Sequence, residues 1–200
     1  SPPDLATYLG AAGRLVSNPR VLALVGLQAV RQSVHQSFQV FLVIYLSEGL
    51  DYTAWVIGLH VSLITLAGIV STPILGAVSD RIGRKPVIVA SMAVTAILVS
   101  QFLWIESGWP LAIALMFLGL VLFAVMPIIA AAAMDQTEKG SEGSSIALMF
   151  AGGAMIGALA PIGAGAINQE YGWEGVVLFA CGIAIFGTVM SLLVPIKRTV

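Results

Sequence analysis

The residues best suited to chemistry lie on one stretch near the start of the chain. Gln28, Arg31, Gln32, His35, Gln36 and Gln39 fall within roughly 140° of arc when wound as a helix at about 100° per residue. Val30, Val34, Phe38 and Phe41 take the opposite side. Arg31 and His35, four apart, therefore share a face. A guanidinium there suits an anionic or polar solute. An imidazole can change charge near neutral pH, and so couple protons, or stay neutral on a Gln or carbonyl partner.

The surroundings make that stripe unusual. Residues of the apolar set form 58% of the chain and charged residues 10%, with mean hydropathy +0.99. Soluble domains are about 45–50% apolar and about 25% charged. The charge here gathers between long apolar runs, the pattern of membrane spans joined by short loops. A polar stripe in such a run cannot face lipid cheaply and should face a water-filled cavity or another helix bundle. All ten acidic residues lie in loops, tails or span edges, so Arg31 has no acid at its own depth. An unpaired guanidinium costs at least ~2.5–3.5 kcal/mol at that depth. Its partner is a substrate anion, an acid outside this chain, or water and carbonyl groups.

About 20 apolar residues span a bilayer. Six runs qualify: Val21–Leu46, Ala54–Val78, Pro86–Ile105, Pro110–Met134, Ser144–Ile167 and Gly175–Val194. Pro86 and Pro110 open their runs, where the missing N–H costs nothing. Pro73 and Pro161 fall inside theirs, as membrane helices tolerate. The fold expected is an all-α membrane domain over 21–200, preceded by a linker over 1–20 that carries an interfacial helix at Ala6–Asn18. The start at Ser1 reads as a processed, truncated or split chain, and the opening residues lack the basic start and apolar core of a signal peptide.

Basic residues set the orientation. Arg14, Arg20, Arg81, Arg84, Lys85, Lys139, Lys197 and Arg198 lie on the side of the amino terminus. The other side carries only Glu48, Asp51, Glu106, Glu170 and Glu174. Both termini are expected in the cytoplasm, with the chain in the inner (plasma) membrane.

Sliding the sequence by 89 positions sets Gly76-Ala-Val-Ser-Asp-Arg-Ile-Gly83 on Gly165-Ala-Ile-Asn-Gln-Glu-Tyr-Gly172, and Gly68 on Gly157. Two units of three spans, the second inverted in the membrane, are the expectation, an arrangement of secondary transporters.

The sharpest motif is Gly76-Ala-Val-Ser-Asp80-Arg81-Ile-Gly83-Arg84-Lys85-Pro86. Gly76 permits close helix approach, Gly83 a tight turn, and Asp80 beside Arg81, Arg84 and Lys85 can form a breakable charge network. The stretch resembles the G-x-x-x-D-R-x-G-R-K/R loop that follows the second span in a half of the major facilitator superfamily. That resemblance, with the six-span pattern, covers nearly the whole chain. It implies transport of a small solute by alternating access, a polar face of span one lining the central cavity, and a second six-span half or a homodimer partner. The first half in that family carries a membrane Arg in its fourth span, whereas Pro110–Met134 has no charge. The opening residues look like the family's mid-molecule linker and Val194-Pro-Ile-Lys-Arg-Thr-Val like a carboxyl end, so the second half is expected. Span five, with Gly152, Gly153, Gly157, Pro161, Gly163 and Gly165, resembles the glycine- and proline-rich fifth span of antiporter-type members, with Ala160-Pro161 in place of Gly-Pro. Gly153, Gly157, Pro161 and Gly165 read first as close helix packing.

No His, Cys and carboxylate cluster, nucleotide loop or nucleophile constellation appears, so an enzyme, a metal site or a cofactor is not expected. Cys181 stands alone and His60 sits in the outer part of span two. A net charge of −1 offers nucleic acid no basic field. The rival to a transporter is a non-transporting membrane receptor or assembly partner.

Overall fold

The computed structural model describes residues 18–105, 107–137, 141–194 and 196. The expected interfacial helix, apart from Asn18, lies outside them, as do Arg14, Glu106, Lys139, Lys197 and Arg198. All regular structure among the described residues is helical.

Helix α1 covers Pro19–Ile44. Pro19 opens it and the Asn18 side chain accepts from the backbone N–H of Arg20 at 3.0 Å, which satisfies one of the donors a helix start leaves unpaired. It runs into a π-helical turn, Tyr45–Gly49. Helix α2, Ala54–Ile82, is followed by α3, Arg84–Gln101, with Gly83 alone between them. Then come α4 (Trp109–Leu122), α5 (Val125–Met134), α6 (Glu142–Gly157) and α7 (Ala160–Leu193).

Two of the expected continuous spans are broken. Pro110–Met134 divides at Phe123–Ala124, and Ser144–Ile167 divides after Gly157. Each break falls four residues before a proline, Pro127 and Pro161. The pyrrolidine ring clashes with the carbonyl at i−4 and supplies no N–H to it. Pro73 has the same chemistry without the same outcome, for α2 continues through it. Just before it, Thr72 Oγ1 and Ser71 Oγ donate to the Gly68 carbonyl at 2.7 and 3.1 Å, one residue ahead of the Ile69 carbonyl that Pro73 leaves without its N–H.

Helix α7 is two limbs. Gly172, at φ 62° and ψ −157°, adopts a backbone that a side chain strains. A Cβ built on Gly163 would lie 3.4 Å from Phe179 Cζ. Sixteen residues of straight helix would separate these two by about 24 Å, so residues 160–171 and 173–193 fold back side by side. Gly83, 89 positions earlier, is also at positive φ, 99° with ψ 154°.

Among the described residues, three stretches are long and apolar enough to cross a membrane: Ala54–Ile82, Trp109–Met134 and Glu142–Leu193. The apolar interior has two main parts. One joins Val21, Leu24, Ile88, Met92, Ile128 and Ile129. The other joins Phe38, Leu42, Val99, Leu115, Val177 and Ala180. Helix α1 contributes to both, and its buried Gln28 and Arg31 lie between them. In lipid, burying apolar side chains gives little net drive, so small residues that admit close contact matter more. Gly187 shows this: a Cβ there would strike Met92 of α3 and Val30 of α1.

Candidate functional site

Helix α1 is enclosed on most sides, because α6 and α7 pack along it and α5 touches it. The enclosure is tightest at the polar stripe. A Cβ on Gly153 would lie 3.0 Å from Gln28 Cγ, and one on Gly157 would lie 2.5 Å from Gln32 Cγ. Two of the small residues read from sequence as packing sites thus press on two of the glutamines read as substrate candidates. Farther along, Gly165 faces Phe41 of α1 at 3.6 Å by the same measure.

Arg31 is only 4% exposed. Its Nη1 donates to the Leu122 carbonyl at 3.0 Å, and its Nη2 donates to Gln32 Oε1. Leu122 ends α4, so its carbonyl belongs to the group that a helix terminus leaves without an intrahelical donor. The negative end of the helix dipole adds to the attraction. Of the three partners open to Arg31 from sequence, a carbonyl is the one this chain itself supplies. The sequence reading missed its source, although Pro127 marks the break.

His35 aims at the same break. Its ring meets the Phe123 ring edge-on at 5.1 Å between centroids, and Phe123 in turn fills the space over Gly68, where a Cβ would lie 2.5 Å from Phe123 Cβ. Among the described residues, three buried polar atoms on this side of α1 have no hydrogen-bond partner: Gln28 Oε1, Arg31 Nε and His35 Nδ1. Such groups carry a desolvation cost of about 1–3 kcal/mol each. Gln36 and Gln39 are half-buried. His60 stands apart, with Nδ1 2.8 Å from the Val56 carbonyl and its ring beside Tyr52.

The loop motif forms a second constellation. Gly83 donates to the Ser79 carbonyl at 3.0 Å and turns the chain so that α3 starts at Arg84. Arg84 Nη1 pairs with Asp80 Oδ1 and bonds Ser79 Oγ at 2.8 Å, while its Nε reaches Asp135 Oδ2 at 3.3 Å. Asp135, just past α5, was absent from the sequence reading. No local spacing connects it to residue 84. Arg81 and Asp80 are exposed. Lys85 points elsewhere, donating to the Leu192 carbonyl at 2.7 Å. Gly76 has no atom within 4 Å of its Cβ position, so the close approach expected there does not occur among the described residues.

Apolar helices long enough to cross a membrane, packed as a bundle with no strand among the described residues, define an integral membrane protein of the helical-bundle class. The chain belongs to the Major Facilitator Superfamily, whose family model matches residues 24–200. It is similar to Multidrug resistance protein MdtG of Salmonella arizonae, of Salmonella paratyphi B and of Salmonella newport, at 23% identity over 180 residues in each case. The alignment covers 88% of this chain and 45% of each relative. The chain therefore spans about half the length of the curated relatives it matches.

Proposed function

We propose that this chain is one six-helix half, the second, of a secondary transporter that moves a small solute by alternating access. The six spans are α1, α2, α3, the α4–α5 pair, α6 with residues 160–171, and residues 173–193. Residues 1–20 serve as the linker. Both termini face the cytoplasm of an inner-membrane protein, in keeping with the one-sided placement of Lys and Arg.

An inverted repeat of spans one to three on spans four to six is supported by matching geometry. Gly83 and Gly172, aligned by the 89-residue offset, both sit at positive φ where the second and third span of each unit meet. Gly68 and Gly157, aligned by the same offset, each receive a side chain from the first span of the other unit, Phe123 and Gln32.

The observation that carries the functional reading is Arg31. A guanidinium held at mid-depth by one carbonyl and one glutamine, beside the unpaired Gln28 Oε1 and His35 Nδ1, is equipped to bind an anionic or polar group. Gln28, Gln32, His35 and Gln39 complete the substrate face. His35 is the candidate for proton coupling. The Asp80–Arg84–Asp135 pairing, with Gly76, Arg81, Gly83 and Lys85 around it, latches one conformation. The relatives bear the name multidrug resistance protein, which favours export of small organic compounds as the task of the whole protein. The test is solute binding and vesicle transport by the intact protein with Arg31→Ala. Unchanged affinity in that variant would remove Arg31 from the substrate site. An intact protein that moved no solute at all would favour the receptor or assembly role.

A further inference from the structure

Two cations of the loop motif stand outside the charge network, Lys85 and the exposed Arg81. Arg84 takes Asp80 and Asp135, but Lys85 leans away to the end of α7, where its Nζ donates to the Leu192 carbonyl at 2.7 Å. An ammonium has three donors, and this bond occupies one. Below it a groove of roughly 560 Å³ opens between α3 and α7, lined by Lys85, Pro86, Val89, Ala90, Leu192 and Ile196. Apart from the ammonium, every lining side chain among the described residues is apolar. Exposed Val94 and Ile97 on α3 and Ile185 and Val189 on α7 continue the hydrocarbon surface away from the groove.

We infer that this groove binds one anionic phospholipid of the cytoplasmic leaflet, its acyl chain along Val89, Ala90 and Leu192 and its phosphate on the Lys85 ammonium. The inference rests on the proposed membrane orientation, which sets Lys85 at the cytoplasmic edge. Charge decides the occupant. A cation at the polar end of a hydrocarbon groove matches an anionic headgroup above its own chain, and basic residues at this surface favour anionic lipid. Bound there, the lipid ties the start of α3 to the end of α7 one residue from the Arg84 network.

Native mass spectrometry of the intact protein, titrated with phosphatidylglycerol or with phosphatidylcholine of the same chains, tests the assignment. One phosphatidylglycerol should be retained in preference to phosphatidylcholine. Lys85→Gln should weaken that preference by about fivefold, the effect of one basic group near a charged surface, and Lys85→Arg should keep it. Ala90→Phe, which fills the groove, should release both lipids from the site. Unfolding temperatures close to that of the parent protein establish that the variants are folded. Equal retention of the two lipids by the parent and by Lys85→Gln overturns the inference, and so does displacement of the lipid by inorganic phosphate, which would make the site one for free anions. Retention of no lipid by any variant also overturns it, because a protein segment then covers the groove. Labelling of Arg81→Cys, at that exposed position and in a Cys181→Ser background, by an impermeant thiol reagent added from outside the cell would instead refute the orientation on which the inference stands.

Discussion

Arg31 Nη1 lies 3.0 Å from the carbonyl oxygen of Leu122, across 91 positions of sequence and at the point where α4 stops. Arg31→Ala leaves that buried carbonyl unpaired, at about 1–3 kcal/mol, and removes the cation from the proposed substrate site. Thermal unfolding in detergent should show modest destabilisation, while solute binding should fall by more than tenfold. Arg31→Lys should recover stability better than binding, because an ammonium cannot reproduce the planar fork that reaches Leu122 and Gln32 together.

Pro127 creates the helix end that Leu122 occupies. Pro127→Ala restores an N–H to the i−4 carbonyl and lets α4 continue into α5, relieving a cost of up to about 3 kcal/mol for a proline in a helix interior. The variant should be at least as stable as the parent by thermal unfolding. Its transport rate in vesicles should drop severalfold, since Arg31 and His35 both address the break. Parent-like transport would detach the break from function.

Gly157 and Gly76 should respond in opposite ways. Leucine at 157 must displace Gln32, and overpacking of that kind typically costs about 1–3 kcal/mol. Alanine at 76 meets open space among the described residues and gains up to about 1 kcal/mol of helix propensity. Unfolding temperatures of the two variants check the contrast. If Gly76→Ala keeps the fold yet slows transport by the intact protein, the close approach expected at Gly76 is made by the other half.

Gly172→Ala forces a side chain into the backbone at φ 62° and ψ −157°. Strain of that kind costs of order 1–3 kcal/mol, and the hairpin between residues 160–171 and 173–193 should loosen. Hydrogen exchange at residues 168–176 should accelerate. Gly182→Ala, in helix with open space around it, serves as the control and should leave exchange unchanged.

Arg84→Gln cuts the link from the loop to Asp135. The side chains of Arg84, Asp80 and Asp135 are 20%, 62% and 29% exposed, so solvent screening limits the effect to about 0.2–1 kcal/mol. Spin labels on the two sides of the intact protein should report a shift of up to about fivefold between inward- and outward-open populations, diminishing as salt is raised. Asp135→Asn should produce a similar shift, and the double variant should add little to either alone.

Much of the local structure was legible in the sequence. Apolar runs separated by charge marked the helices, since the period and length of hydrophobic stretches are properties of neighbouring residues. Gly83 as the turn followed from local spacing, as did a charge network around Asp80, but which of Arg81, Arg84 and Lys85 pairs with Asp80 did not. The polar arc of α1 was readable for the same reason. Sequence alone could establish that Arg31 needed a partner, because no acid lies near its depth, but could not name one. Tertiary structure chose the Leu122 carbonyl, brought Asp135 to Arg84, turned Lys85 toward Leu192 and set Gly153 and Gly157 against the glutamines. Each of these joins residues tens of positions apart, where neither period nor spacing carries information and only the packing of whole helices decides which atoms meet.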